Sequence, residues 1–462
     1  MPLRTILFLL GFVGAAGGAL FIPIIGVLAY IFLYSIGVER QWWGAAAINI
    51  LGLRYSLTMA AATAIGMALH WKSLRYGKTF LHSQEKLLLL FLGLVWLSTL
   101  TGEPTSGAYT TVDHPLVKMT KIVIFALMLT HIVTRAKTLD ILMWCLVGGA
   151  LALGLDAYMI PRSDFRSGRL ETVGGPDFAE SNNLAAYLAA ILPIVGIQFL
   201  RSTWPGRLLS LATGVFAVNA IILTRSRGAV VGIATGCATA LLLAPKKHRM
   251  TIAIALVVAT AGGLYLTDPG YYHRVGTISL SEEEQDPASY ARVEIWEASL
   301  LLLKDHPFGV GAGNFFQVIG RYNDRCVGRD AHNTFVRCYS ELGVQGLLVF
   351  LALIGNAIWV LRRVWREAAL LPEESQKHVM WLSYGFAISL ATALACSMTV
   401  TLVYVEALWW LMVLPVCLER AVANLKADTA IPARLPAAAG KAGGRARSRR
   451  RGRAPNPPSV KR

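Results

Sequence analysis

The sequence is short of charge. Only 15% of its 462 residues are Asp, Glu, Lys or Arg, while 55% are hydrophobic and the mean hydropathy is +0.52. A water-soluble globule of this length needs a larger charged surface, so that class is excluded. Acidic residues are the scarcer sign, 27 against 44 Lys and Arg, which leaves a formal net charge of +17. No Asp-x-Asp pair occurs, and the acidic run EEEQD (282–286) reads as a solvated loop cluster, so no metal ligation is expected. The six cysteines show no zinc spacing, and Cys145, Cys237, Cys396 and Cys417 fall in apolar runs where cysteine acts as a small hydrophobe.

What the sequence has in abundance is long apolar runs. A bilayer core is roughly 30 Å thick, and runs suited to crossing it recur near 4–19, 20–36, 54–70, 86–101, 117–133, 138–158, 182–200, 207–223, 228–244, 250–267, 342–361, 379–398 and 402–418. In hydrocarbon every backbone polar group must be satisfied within the segment, which leaves helices for such runs. The expectation is an all-α polytopic membrane protein of about 12–13 transmembrane helices with one long, partly helical outer loop. The first run continues as apolar sequence where a polar mature domain would start, so it is expected to remain as an anchor.

Lys and Arg accumulate on the cytoplasmic side of membrane proteins. By that rule HWKSLRYGK (70–78), TRAK (134–137), LRSTWPGR (200–207), APKKHR (244–249) and LRRVWRE (361–367) are expected to be cytoplasmic. The tail 431–462 holds ten Lys or Arg and no acid, and reads as a basic, disordered cytoplasmic segment near anionic headgroups. Its GGRARSRRRGR run lacks interleaved aromatics, so no nucleic-acid partner is expected. The other face then receives 102–116, 159–181, 224–228 and 268–341. The segment 37–54 is too short for a full span and reads as re-entrant or interfacial, anchored by Trp42 and Trp43. The expected organisation is N-terminal spans over 1–267, an outer loop over 268–341, C-terminal spans over 342–420 and the tail over 421–462.

The outer loop has structure of its own. Tyr290, Val293, Trp296, Leu300 and Leu303 recur at helical spacing, which predicts an amphipathic helix over 287–307 on the membrane or on the bundle. GVGAGNFF (309–316) lacks the strand of a dinucleotide site and reads as a tight turn that brings backbone N–H groups close to something. Arg169 lies just before a span, and Arg225 with Arg227 is pinched between two. Charge so near hydrocarbon is costly, and two arginines in a short outer junction call for an anion. The planar guanidinium fork suits phosphate oxygens, and a diphosphate at headgroup level suggests a polyprenyl carrier. A single arginine there also fits a snorkelling anchor or a structural ion pair.

RLETVGGPDFAESNNLAAYLAAILPI, LTRSRGAVVG, ARVEIWEASLLLLKDHPFGVGAGNF and AHNTFVRCYSELGVQGLLVFLALI, in that order across 160–360, resemble the O-antigen ligase and polymerase superfamily. YYHRVGTI (271–278) and RYSLTMAAATAIGMAL (54–69) lean towards its O-glycosylation ligases associated with exosortase systems. The resemblance implies inverting glycosyl transfer on the periplasmic face of the bacterial inner membrane, and the missing Asp-x-Asp adds the expectation that it is metal-independent, with no cofactor expected. The donor would be an undecaprenyl-diphosphate-linked glycan and the acceptor a glycan, lipid or protein. A repeat-unit polymerase would use the same donor. A transporter would place polar groups at the midplane of two related halves, and Glu406, apparently inside a span, would suit it; no such internal repeat is visible.

In that frame His332 is the catalytic expectation, as the base that takes the acceptor proton or as a diphosphate ligand. Arg169, Arg225 and Arg227 would stabilise the charge growing on the leaving diphosphate, with Arg292 as a further ligand or simply the polar face of its helix. Asn333 would cap or orient, and Glu341 would pair with an arginine or cap the next span. Asn183 and Asn314 lie in the same motifs as supporting residues. Cys326 and Cys338 bracket His332 and form a candidate disulfide in an oxidising compartment.

Overall fold

In the computed structural model the chain is described at residues 3–45, 52, 54–74, 80–103, 114–265, 267 and 287–430. These residues are helical and form no strand, only an isolated bridge between Arg166 and Arg169. The helices are α1 (Leu3–Phe21), α2 (Pro23–Ile36), α3 (Tyr55–Leu69), α4 (Ser83–Thr101), α5 (Pro115–Ile132), α6 (Ala136–Met159), α7 (Ser181–Arg201), α8 (Trp204–Thr224), α9 (Arg227–Leu243), α10 (Arg249–Tyr265), α11 (Pro287–Asp305), α12 (Phe315–Val318), α13 (Thr334–Ala368), α14 (Glu373–Ser397) and α15 (Glu406–Ala430). Among the described residues ten stretches are long and apolar enough to cross a membrane, and α2, α3 and α9 are shorter apolar helices of 14, 15 and 17 residues. Together these account for the runs read from the sequence. The tail and the segment holding EEEQD and YYHRVGTI lie outside the described residues.

The centre of the bundle is set by which helices are apolar all round. In α15, α14 and α7, 78%, 72% and 67% of the spanning window is buried, against 6% in the Lys246–Tyr265 span that contains α10. α9 lies close against α14 because Gly228, Gly232 and Gly236 stack on one side of it; a Cβ there would collide with Thr399, Cys396 and Thr392. Small residues give close backbone approach where lipid supplies no hydrophobic drive between helices.

Near-continuous reversals put alternate connections at opposite ends. One end gathers Glu103, 160–180, 224–227, 306–333 and 398–405, tied by Glu103 N–H donating to Val310 O (3.0 Å), Leu170 N–H to Leu223 O (3.0 Å) and Thr401 Oγ1 to Asp330 Oδ2 (2.7 Å). The other end gathers Phe80, Thr134, Arg201 and Arg363. Of the segment 37–54, Trp43 packs on Phe8 at 4.9 Å between centroids and Trp42 is exposed.

The long loop builds a small core beside the bundle, from Ile295, Ala298, Leu302, Val310, Phe315, Ile319, Cys326 and Ala331 with Val336 and Tyr339 of α13. The amphipathic helix is present as α11, with a correction to its inner face: Ile295, Ala298 and Leu302 are buried, whereas Tyr290, Val293 and Leu300 are exposed. The predicted spacing was helical but sat on the wrong edge of a wide apolar arc.

The helix expected near 342–361 begins at Thr334 and breaks at Gly343 (φ 72°, ψ −174°). That break frees carbonyls at the end of the first segment. The glycine turn meets them: Val310 N–H donates to Ser340 O (3.0 Å) and Gly311 N–H to Glu341 O (3.1 Å), with Gly309, Gly311 and Gly313 all at positive φ. The turn's amides cap a broken helix rather than hold a nucleotide, and a Cβ on Gly309 would run into Glu341 O.

Candidate active site

The arginine half of the site is built from a tight turn and a helix junction. Arg166 and Arg169 exchange backbone hydrogen bonds (3.0 and 2.9 Å) around Ser167 and Gly168, both at positive φ. The Arg169 guanidinium then reaches the end of α8, where Nε donates to Thr224 O (2.9 Å) and Nη2 to Asn182 Oδ1 (2.8 Å). Arg225 caps α8 in the left-handed region (φ 51°), Ser226 Oγ donates to the same Asn182 oxygen (3.0 Å), and Arg227 opens α9. The Arg225 guanidinium lies over Gly168, with Nη1 3.1 Å from where a Cβ would stand. Arg169, Arg225 and Arg227 are thus gathered at one junction, each half-buried.

The histidine half approaches from the long loop. His332 is held at φ 45°, which costs a non-glycine residue energy and persists only where surroundings over-determine it. Its N–H donates to Asp330 Oδ2 (3.1 Å), and that oxygen also accepts from Thr401 Oγ1. Trp296 Nε1 of α11 donates to Ala331 O (2.9 Å), and Asn333 caps the first segment of α13 through the Phe335 and Val336 amides (2.9 and 3.2 Å). The imidazole is left 32% exposed, with Nδ1 3.5 Å from Asp330 Oδ2 and 3.8 Å from Glu180 Oε1.

Beneath it lies a buried charged brace. Arg337 Nη1 donates to Asp330 Oδ1 (3.0 Å) and Nε to Glu341 Oε1 (2.7 Å), while its guanidinium lies over Phe316, 4.1 Å from the ring centroid. Tyr404 OH donates to Glu341 Oε2 (2.8 Å), and Ser98 Oγ donates to Glu341 O (2.6 Å). Burial, then the adjacent Glu341 carboxylate, pushes the Tyr404 hydroxyl well above its ordinary value, so it remains a donor.

Of the other sequence expectations, Glu341 pairs with an arginine, but with Arg337 rather than one from the junction. Arg292 lies half-buried on α11 one turn before Trp296, on the side that faces Ala331. Asn314 holds the glycine turn, donating to Glu103 O (2.7 Å) and Val310 O (2.9 Å). Asn183 has a buried Oδ1 with no hydrogen-bond partner, and it is its neighbour Asn182 that bridges Arg169 and Ser226. The candidate disulfide is corrected: Cys326 and Cys338 are both free and buried, the first in the loop core and the second in the bundle core. Glu406 is the first residue of α15, accepting from Tyr30 OH (2.9 Å), with its N–H on Asp177 Oδ2 (3.3 Å).

Sequence reasoning missed Glu180, Asn182, Asp330, Arg337, Thr401 and Tyr404. Two of them carried a signal. Arg337 and Glu341 stand four apart on a helix, and Asp330 is placed to accept from the amide two residues on.

No curated protein matches the chain. Residues 212–351, from within α8 into α13, match the family model described as O-antigen ligase, and this stretch, which takes in Arg225, Arg227, Arg292 and His332, is similar to that family.

Proposed function

We propose that this chain is a membrane glycosyltransferase that moves a glycan from undecaprenyl diphosphate to an acceptor hydroxyl on the periplasmic face of the bacterial inner membrane. The observation that carries the reading is the meeting of two halves: the Arg169–Arg225 junction and His332 come together across Asn182 and Glu180. In the reaction the acceptor oxygen bonds to the anomeric carbon and the bond from that carbon to the diphosphate oxygen breaks. The hydroxyl proton passes to His332, and the charge left on the carrier diphosphate is met by Arg169, Arg225 and Arg227. Fixed guanidinium groups aimed at developing phosphate charge are worth most where water is scarce, and they need no metal. Attack opposite the leaving group inverts the sugar.

The sidedness of this reading is supported by the basic residues of the short connections, where the charge rule applies. Lys72, Arg135, Lys137, Arg201, Arg207, Lys246, Lys247, Arg249, Arg362, Arg363 and Arg366 lie in or beside connections at the end opposite His332. A repeat-unit polymerase would use the same donor and differ in its acceptor alone.

The test is turnover of an undecaprenyl-diphosphate glycan by the purified chain in lipid nanodiscs, with carrier release and product measured for wild type, His332→Ala and Arg225→Ala. Both variants should lose transfer. Undiminished transfer in both would sink the site, and wild-type protein that carries the glycan across a vesicle membrane without transferring it would make the chain a transporter.

A further inference from the structure

We infer that Glu180 is the positioning carboxylate for His332, fixing the imidazole so that Nε2 faces the acceptor while Glu180 ties that imidazole to the arginine junction. The inference rests on the glycosyl-transfer reading and adds a residue from the 160–180 segment, outside the stretch that matches the family model. Two carboxylates stand near the buried Nδ1 of His332, which has no hydrogen-bond partner, and they differ in what else they hold. Asp330 is fully committed. Its Oδ1 accepts from Arg337, and its Oδ2 accepts from the His332 amide and from Thr401, all within 3.1 Å. Moving Asp330 onto the ring would dismantle the loop that carries the ring.

Glu180 is not so bound. Its side chain is 44% exposed, and Oε1 accepts from Asn182 Nδ2 at 3.2 Å. A rotamer adjustment of about 1 Å would bring Oε1 from 3.8 Å into hydrogen-bond range of Nδ1. Catalytic hydrogen bonds commonly tighten once substrate fills the site. The rest of Asn182 matters equally, because its Oδ1 receives Arg169 and Ser226. One side chain therefore links the group that would take the proton to the groups that would hold the leaving diphosphate. A carboxylate on Nδ1–H fixes the tautomer and steadies the imidazolium that forms as the proton arrives on Nε2.

The experiment uses the full chain labelled with nitrogen-15 histidine in nanodiscs, with the His332 signals assigned by their loss in His332→Gln. Wild type with donor bound should show His332 protonated at Nδ1, and Glu180→Gln should lose that single-tautomer signature. In the same preparations, with kcat expressed per folded chain so that a folding defect does not enter, Glu180→Gln should lower kcat by at least about tenfold while the donor KM stays within about twofold. An unchanged tautomer together with unchanged kcat in Glu180→Gln overturns the inference. Full turnover in His332→Gln, with the Glu180-dependent tautomer still present in wild type, would overturn the catalytic reading of the histidine and leave the pairing standing.

Discussion

Both ends of the bundle carry a histidine beside a carboxylate and an arginine, yet the two clusters are finished to different degrees. At the end away from His332, Glu85 and Arg420 pair through both oxygens (2.9 and 3.0 Å), and their side chains are 0% and 5% exposed. Thr130 and the His82 amide also donate to Glu85, and the ring nitrogens of His131 lie 2.9 and 3.1 Å from the carbonyls of Leu127 and Phe80. At the His332 end the ring stands open, its nearest carboxylates sit just out of bonding range, and the backbone is strained. A closed, buried network holds helices together, whereas an open one keeps bonding capacity for something that arrives. The same three residue types serve structure at one end and, we propose, chemistry at the other.

The comparison breaks first, and most visibly, at the two histidine ends. His332→Ala should reduce glycan transfer on the order of 10³-fold while leaving the detergent-solubilised melting temperature close to wild type. A variant that melts early but transfers normally would reverse the assignment of the two ends. Arg420→Ala should do the opposite, destabilising by about 3 kcal/mol because it strands Glu85 in the interior. Thermal or denaturant unfolding reads this directly, and the folded fraction should transfer at the wild-type rate.

The difference between the ends also explains what the sequence made legible. Apolar runs are local and long, so the helices could be read from Ala136–Met159 or Ser181–Arg201 without neighbours. The arginine junction was legible because two arginines between adjacent spans violate the charge pattern around them. Glu180 and Asn182 were not, since each is unremarked in its own segment and gains meaning from His332 and Ser226, 152 and 44 positions away. The break at Gly343 was hidden for the same reason: its carbonyls are satisfied from Val310 and Gly311, and nothing local announces that partnership. The inner face of α11 was misread because an arc of apolar residues wider than half a turn has no unique centre until the loop core chooses Ile295, Ala298 and Leu302.

A smaller effect separates charge from shape within the open end. Arg225→Lys keeps the positive charge and removes the planar fork, so donor KM should rise by about tenfold with a lesser change in kcat. Equal KM values would mean that a point charge suffices and that Arg225 acts through the field of the junction rather than through paired hydrogen bonds.

The smallest expected effect concerns the two thiols beside the open end. Cys326 and Cys338 bracket His332 in sequence, but one packs with Ile319 and Val318 in the loop core and the other with Leu342 in the bundle core. Burial pushes the Cys326 thiol above its ordinary value, which keeps it protonated and a poor partner for disulfide exchange. Reductant should therefore leave both transfer and melting temperature unchanged, and intact-protein mass should show both residues as free thiols. A mass lighter by two hydrogens that reductant restores, with a lowered melting point, would mean that the loop is stapled by a covalent bond. If the masses agree with free thiols, Asp330 together with Arg337, Thr401 and Trp296 must hold the His332 loop without one, and the strain at His332 is borne by hydrogen bonds that a bound substrate can rearrange.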